Sequence, residues 1–313
     1  MSRTALVTGG AGFIGSHLVD RLVREGWQVR VLDDLSSGRE QNLAASLAQI
    51  ELLRADVCDE SVAARAVAGI EVVFHQAAVP SVPRSVAEPV RTNRVNVTAT
   101  LGLLEAARAA GVRRFVFAAS SSAYGNTEQL PKHEEMPATP ESPYALQKFA
   151  CEEYCRLYTK LYGFETVALR YFNVFGPRQN PQSEYAAVVP RFVTACLAGS
   201  APVIYGDGEQ TRDFTFVGDA VEANLLAAVS EKAVGSVMNV AGGKRISLNE
   251  LLRAIQQIAG TQQTPRYEPV RGGDVRDSLA SLERAEALLG FRPQTALLDG
   301  LTVTIESYQG RAE

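Results

Sequence analysis

The chain has 313 residues, 46% of them hydrophobic and 21% charged. That is enough to bury a substantial α/β core, and it carries no signature of disorder. Its 31 basic residues against 35 acidic ones leave a formal charge of −4, which argues against nucleic acid or an anionic membrane as the main partner. No apolar run approaches the roughly 18–20 residues that cross a bilayer. Met1-Ser2-Arg3-Thr4 runs directly into a strand pattern rather than a signal peptide, so a cytoplasmic protein is expected.

In chain order, Thr4–Thr8 reads as a strand, Phe13–Glu25 as an amphipathic helix and Val29–Asp33 as the next strand. Glu51–Arg54 and Glu71–His75 continue the strand series, with helical spacing over Glu60–Val67 between them. Arg91–Ala110 reads as one long helix, Phe115–Ala119 as a buried strand, Pro143–Tyr162 as a helix and Thr166–Leu169 as a strand. Strands alternating with helices predict a parallel sheet with right-handed crossovers. After Tyr171 the rhythm breaks: Gly176–Pro181 is a loop and Gly206-Asp207-Gly208 a turn. Helices are expected at Val188–Ala198, Asp219–Ser230 and Leu248–Ile258, with a strand at Val237–Val240. The expected fold is α/β: a Rossmann-type doubly wound sheet over 1–172, with a smaller lobe over 173–313 above the carboxyl ends of the strands. Segments near 214–240 are expected to return to the first core.

The first strand runs into Gly9-Gly10-Ala11-Gly12-Phe13-Ile14-Gly15, which opens the first helix. Glycines at 9, 12 and 15 allow a tight turn and let backbone N–H groups approach a pyrophosphate at the positive end of a helix. Asp33 ends the second strand, where a carboxylate accepts hydrogen bonds from ribose hydroxyls and repels a 2′-phosphate; the cofactor expected is NAD. Asp34 is placed to share this role, and Arg39 keeps an NADP alternative open. Asp56-Val57 follows the third strand, placed to touch adenine, with a helix N-cap as the alternative role for Asp56. Ser120-Ser121-Ser122 ends a further strand, and Tyr144 and Lys148 stand four apart on one helix face. A nearby ammonium favours the phenolate that a general base requires, and a serine hydroxyl can bond the same substrate oxygen. The four cysteines, at 58, 151, 155 and 196, read as reduced thiols, and three widely spaced histidines make no metal cluster.

Several segments together resemble one family: Thr8–Ser16, His75-Gln76-Ala77-Ala78, Ser81-Val82-Pro83-Arg84-Ser85, Arg170-Tyr171-Phe172-Asn173 and Arg212-Asp213-Phe214. The chain resembles the extended short-chain dehydrogenases/reductases, and within them the nucleotide-sugar 4-epimerases, bacterial UDP-N-acetylglucosamine 4-epimerases in particular. The resemblance implies a sheet of about seven strands, a bound NAD, a UDP-sugar substrate and often a homodimer. It implies Tyr144 as base, Lys148 as its electrostatic partner and ribose ligand, and Ser121 as hydroxyl assistant. It places Phe13, Ile14, Ser36, Gly38, Gln76, Ala77, Ala78, Asn96, Ser120 and Tyr171 with the other cofactor residues. It places Ser122, Asn173, Ala187, Val188, Val203, Tyr205, Arg212, Arg271, Asp274 and Ser278 around the substrate. One departure is Pro80, where glucose/galactose epimerases tend to carry a lysine near the cofactor.

The implied reaction oxidises the sugar at C4, turns the 4-keto sugar about its pyrophosphate tether and reduces it on the other face. Dehydrating and decarboxylating relatives need extra carboxylates just after the serine strand; Ser122 and Ala123 stand there, and Glu128, Glu134 and Glu135 read as loop residues. Ser278 aligns with a pocket wall that is tyrosine in epimerases restricted to unsubstituted hexoses. A serine there leaves room for an N-acetylhexosamine, and Ala187 on another wall is also small. The alternatives are a UDP-glucose/UDP-galactose enzyme, a UDP-glucuronate enzyme and a non-catalytic NAD-binding scaffold.

Overall fold

A computed structural model describes residues 3–181, 187–270 and 275–310. The first half contains β1 (Thr4–Thr8), α1 (Phe13–Arg24), β2 (Gln28–Asp33), β3 (Ile50–Arg54), α2 (Glu60–Val67), β4 (Val72–His75), α3 (Val82–Ala87), α4 (Pro89–Asn93), α5 (Ala99–Ala109), β5 (Arg114–Ser120), α6 (Pro143–Tyr162) and β6 (Glu165–Tyr171). The second adds β7 (Val174–Phe175), α7 (Val188–Leu197), β8 (Val203–Tyr205), β9 (Thr211–Asp213), β10 (Thr215–Phe216), α8 (Val217–Val229) and β11 (Val237–Val240). It closes with β12 (Arg245–Ser247), α9 (Leu248–Ala259), β13 (Arg266–Glu268), α10 (Glu283–Leu289) and α11 (Leu297–Gln309).

Seven parallel strands form the central sheet in the order β3-β2-β1-β4-β5-β6-β11. The order reverses between β1 and β4, which opens a crevice at the carboxyl ends, where such sheets take ligands. The strands are near-continuous apolar runs because helices cover both faces. On one face Leu18 and Leu22 of α1, Ala220 and Leu225 of α8 and Leu289 of α10 pack against Val7, Val31 and Met238. On the other, α2, α5 and α6 bury Ala66, Leu103 and Cys155 against Leu6, Val73 and Phe117. A separate core under α7, α9 and α11 (Phe192, Leu251, Ile305) holds the lobe together.

The long helix read at 91–110 is interrupted. A π-helical turn at Arg94–Thr98 separates α4 from α5 and buries Asn96. There Asn96 accepts from the Val79 N–H at 2.8 Å and donates to Gln147 at 2.8 Å. Those bonds favour the wide turn over uninterrupted helix, since π-bulges rotate one side chain inward. The α6 boundaries agree with the sequence for local reasons: Ser142 caps its first turn by accepting from the Ala145 N–H, Pro143 stands at its start, and Gly163 ends it at φ 65°. Cys151, Cys155 and Cys196 are buried free thiols and Cys58 is half-buried. Among the described residues no helix is long and apolar enough to cross a membrane.

Candidate active site

Gly9 leaves β1 at φ 66°, and its carbonyl accepts from the Gly12 N–H at 3.0 Å. A Cβ at Gly15 would stand 2.2 Å from that carbonyl oxygen, so only glycine lets the turn close onto α1. No side chain caps α1 and no acidic residue lies in its first turn, while Phe13, Ile14 and Gly15 face the crevice. Uncapped amides at the positive end of a helix are a fitting seat for a pyrophosphate.

From this turn a continuous cavity of about 900 Å³ runs along the sheet crest to the lobe. At one end, Asp33 ends β2 with its carboxylate accepting from the Ala11 N–H at 2.9 Å and the Leu35 N–H at 2.8 Å. Burial pushes its pKa up, opposed by those two hydrogen bonds. Each oxygen keeps a lone pair for a ligand hydroxyl. Asp34 instead binds its own turn, accepting from the Ser36 N–H and hydroxyl. Asp56 accepts from the Cys58 N–H, and the N-cap of α2 is Asp59. Gly38 stands behind Asp33, where a Cβ would come within 2.9 Å of the carboxylate.

At the other end the strand tip, α6 and the lobe converge. The oxygen of Ser120 accepts from both the N–H and the hydroxyl of Ser122, at 3.2 and 2.8 Å. With both lone pairs occupied, its one proton is left to donate, and its influence on the Tyr144 phenol is to favour the charged form. Ser120, one residue before the Ser121 read from the sequence, thus also bears on the expected base. Ser121 lines the cavity beside it. Lys148 is buried and donates to the Ala118 carbonyl at 2.7 Å, with its ammonium 4.9 Å above the Phe117 ring. Burial lowers its pKa to about 8. Burial also pushes Tyr144 up, opposed only by the Ser120 hydrogen bond, so the depression expected from Lys148 is not present in the protein alone.

Behind them, buried His75 joins Thr8 at 2.7 Å and Thr100 at 2.8 Å and is held neutral, burial lowering its pKa to about 3. Gln76 and Asn224 fix the Tyr171 hydroxyl, at 3.1 and 2.7 Å. On the lobe side Asn173, at φ 32°, donates to the Asp213 carbonyl at 2.9 Å. Arg212 donates to the carbonyls of Thr211 and Arg276.

The cavity thus gathers Gly9, Gly12, Phe13, Ile14, Gly15, Asp33, Asp34, Ser36, Asp56, Val57, Gln76, Ala77, Ala78, Ser120, Ser121, Ser122, Tyr144, Lys148, Tyr171, Asn173, Ala187, Arg212 and Ser278. Gly38, Asn96, Val188, Val203 and Tyr205 are not on its wall: Asn96 supports from behind, Val188 packs on the lobe core, and β8 pairs with β13. Arg271 and Asp274 lie outside the described residues. Sequence reasoning gave no role to Ser81, Arg84, Tyr124 or Lys132, which also line it; Ser81 and Arg84 stood in a motif already singled out, whereas Tyr124 and Lys132 carried no local signal. Glu134, read as a loop residue, is buried and accepts from the Asn239 N–H at 2.7 Å.

Residues 5–241 match the model of the NAD dependent epimerase/dehydratase family. The chain is 44% identical over 312 residues to the UDP-glucose 4-epimerase of Mycolicibacterium smegmatis, covering 98% of this chain and 99% of that protein. It superposes on the UDP-N-acetylglucosamine 4-epimerase of Methanobrevibacter ruminantium M1, solved with UDP-N-acetylmuramic acid, with a TM-score of 0.95 and 39% identity over 99% of both chains. The UDP-glucose 4-epimerase of Thermus thermophilus, solved with NAD, superposes with a TM-score of 0.90 at 38% identity, over 98% of this chain and 99% of that one. With a glycine turn, an uncapped helix and a strand-end aspartate matched to a dinucleotide, the chain belongs to the NAD-dependent epimerase/dehydratase family, and NAD is its cofactor.

Proposed function

We propose that this chain interconverts the C4 epimers of UDP-linked hexoses, with the pair UDP-GlcNAc and UDP-GalNAc as its principal substrates and UDP-glucose and UDP-galactose as smaller sugars the pocket admits. The observation that carries the acetamido reading is Ser278: a small side chain, 9% exposed, on the wall of the same cavity as Ser120 and Tyr144. Deleting a group from a substrate costs a modest binding term unless polar partners are left unpaired, so room for an acetamide does not bar glucose.

In this reading residues 1–172 hold NAD and the lobe takes the UDP. NAD, when bound, supplies the acceptor that takes a hydride from C4 and returns it. Tyr144, as phenolate, takes the proton of the C4 hydroxyl and, as the phenol so formed, gives it back, while Ser120 favours the phenolate before the transfer. Lys148 keeps a positive charge on the same face of α6. Arg212 offers a guanidinium fork to the pyrophosphate, so that the sugar turns while the nucleotide stays. Ser122 and Ala123 supply no carboxylate for elimination.

A second reading, restriction to UDP-glucose and UDP-galactose, is favoured by the name of the M. smegmatis relative. Incubation with each of UDP-Glc, UDP-Gal, UDP-GlcNAc and UDP-GalNAc, followed by chromatography of the UDP-sugars, separates the two. Turnover of the acetamido pair supports the first; turnover of only the unsubstituted pair selects the second; no turnover of any sugar sinks both in favour of a scaffold. Ser278→Tyr is expected to lower kcat/KM on the acetamido pair by about tenfold or more while sparing UDP-glucose. Equal loss on both would remove Ser278 as a size filter. A homodimer is part of this proposal, and sedimentation velocity checks it.

A further inference from the structure

Arg170 carries the last side chain of β6 before Tyr171, and in the sheet it lies between Ala119 of β5 and Asn239 of β11. Its guanidinium forms a two-pronged pair with Glu152 of α6, Nε to Oε2 at 2.8 Å and Nη2 to Oε1 at 2.5 Å. Both side chains are almost wholly buried, at 3% and 4% exposure. Glu152 stands one helical turn beyond Lys148, which in turn stands one turn beyond Tyr144. The same guanidinium lies 4.6 Å from the centre of the Tyr124 ring, and Tyr124 is on the cavity wall, four residues after Ser120. The Tyr124 hydroxyl donates to Asn239 at 2.7 Å, and the Asn239 side-chain amide donates to the Lys132 carbonyl at 3.0 Å.

Nothing at the dinucleotide turn or on the lobe requires a buried ion pair at this place. Apolar residues of similar volume usually fill such a space at no loss of stability. What the pair provides is geometry. A carboxylate and a guanidinium joined by two parallel hydrogen bonds fix distance and rotation together, which dispersion contacts do not. We infer that Arg170 and Glu152 are positioning residues for the reaction: they lock α6, which carries Tyr144 and Lys148, in register with β6 and with the Ser120–Tyr124 turn. They touch neither substrate nor cofactor, and they act through Tyr144 and Lys148. The inference rests on the epimerase reading for its assay.

The test compares Glu152→Gln, Glu152→Asp and Arg170→Lys with Glu165→Gln in the full-length enzyme. Glu165 is the partner of Arg114, another buried arginine, at the opposite end of β5 and β6 from the cavity, and its loss reports stability alone. For each protein kcat, KM, the pH dependence of kcat and the thermal midpoint are measured. The Glu152 and Arg170 variants are expected to lose about tenfold to a hundredfold in kcat with little change in KM, since small misplacements of a reacting group cost that much. Their acid limb of kcat is expected to move to higher pH, because a slackened α6 carries Tyr144 away from Ser120, which opposes the rise in its pKa. Glu165→Gln is expected to lower the midpoint and leave kcat and the limb in place. Should Glu152→Gln fail to accumulate, Glu152→Asp, which keeps the charge and withdraws it by one methylene, decides alone. Wild-type-like kcat, or an unmoved acid limb, in Glu152→Asp or Arg170→Lys overturns the proposal. Absence of turnover in the unmodified enzyme counts against the epimerase reading instead, and the two failures are thereby told apart.

Discussion

Single atoms decide the chemistry proposed for Tyr144. A phenol surrounded by protein titrates upward because burial penalises its charged form, and only the Ser120 proton opposes this. Tyr144→Phe removes the one group able to take the C4 proton while leaving the dinucleotide turn untouched. Epimerisation is expected to fall by about 10²–10⁴, with NAD still bound, as the absorbance of the purified protein and a turnover assay together show. Near-normal turnover would take Tyr144 out of the mechanism. Ser120→Ala and Ser121→Ala separate two neighbouring hydroxyls of identical chemistry. Since Ser120 is the hydroxyl that opposes the upward shift of the phenol, its loss is expected to lower kcat about tenfold or more and move the acid limb upward, while Ser121→Ala stays close to wild type. The reverse order would return the role to Ser121. The sequence offered three consecutive serines and no means of ranking them, because which hydroxyl turns inward depends on the turn that follows β5.

Elements are pinned beneath the cavity by polar pairs that local sequence does not reveal. His75 ends β4 and ties β1 to α5 through Thr8 and Thr100. Its pKa is lowered from 6.5 to about 3, chiefly by burial. The folded value lies below the unfolded one, so the neutral ring stabilises fully above pH 6.5, and that contribution is lost as pH falls towards 3. In that window the unfolded chain binds the extra proton, and the slope is at most about 1.4 kcal/mol per pH unit. His75→Gln is expected to be less stable at neutral pH yet to lose stability less steeply on acidification. Denaturant titrations of both proteins at pH 7 and pH 5 read the difference, and parallel curves would show that His75 is not the group responsible. The interruption at Arg94–Thr98 belongs to this scale as well. Apolar periodicity is legible from 91 to 110, but the demand that Asn96 reach Val79 and Gln147 comes from other elements.

Across the whole molecule the chain leaves its first half and comes back. The seventh strand, β11, pairs with β6, and α8 supplies Ala220, Val221, Ala223 and Leu225 to the same core as Val7 and Leu18. A fragment of residues 1–172 would leave β6 as an open edge and that face uncovered. It is expected to aggregate or to unfold without a cooperative transition, as circular dichroism and size-exclusion chromatography check. A fragment that melts sharply would show the first half to be self-sufficient. What the sequence alone determined is the set of local features: alternating strands and helices, the glycine turn, Asp33 at a strand end, and Tyr144 and Lys148 one turn apart. Each is fixed by backbone freedom, side-chain period or spacing over a few residues. The tertiary structure alone decided that Ser120 bears on the phenol, how the 94–98 turn opens, that Arg170 and Glu152 join three elements, and which strand β11 pairs with. Those contacts bind residues distant in the chain, and they follow from packing and hydrogen-bond satisfaction in three dimensions, which no local pattern encodes.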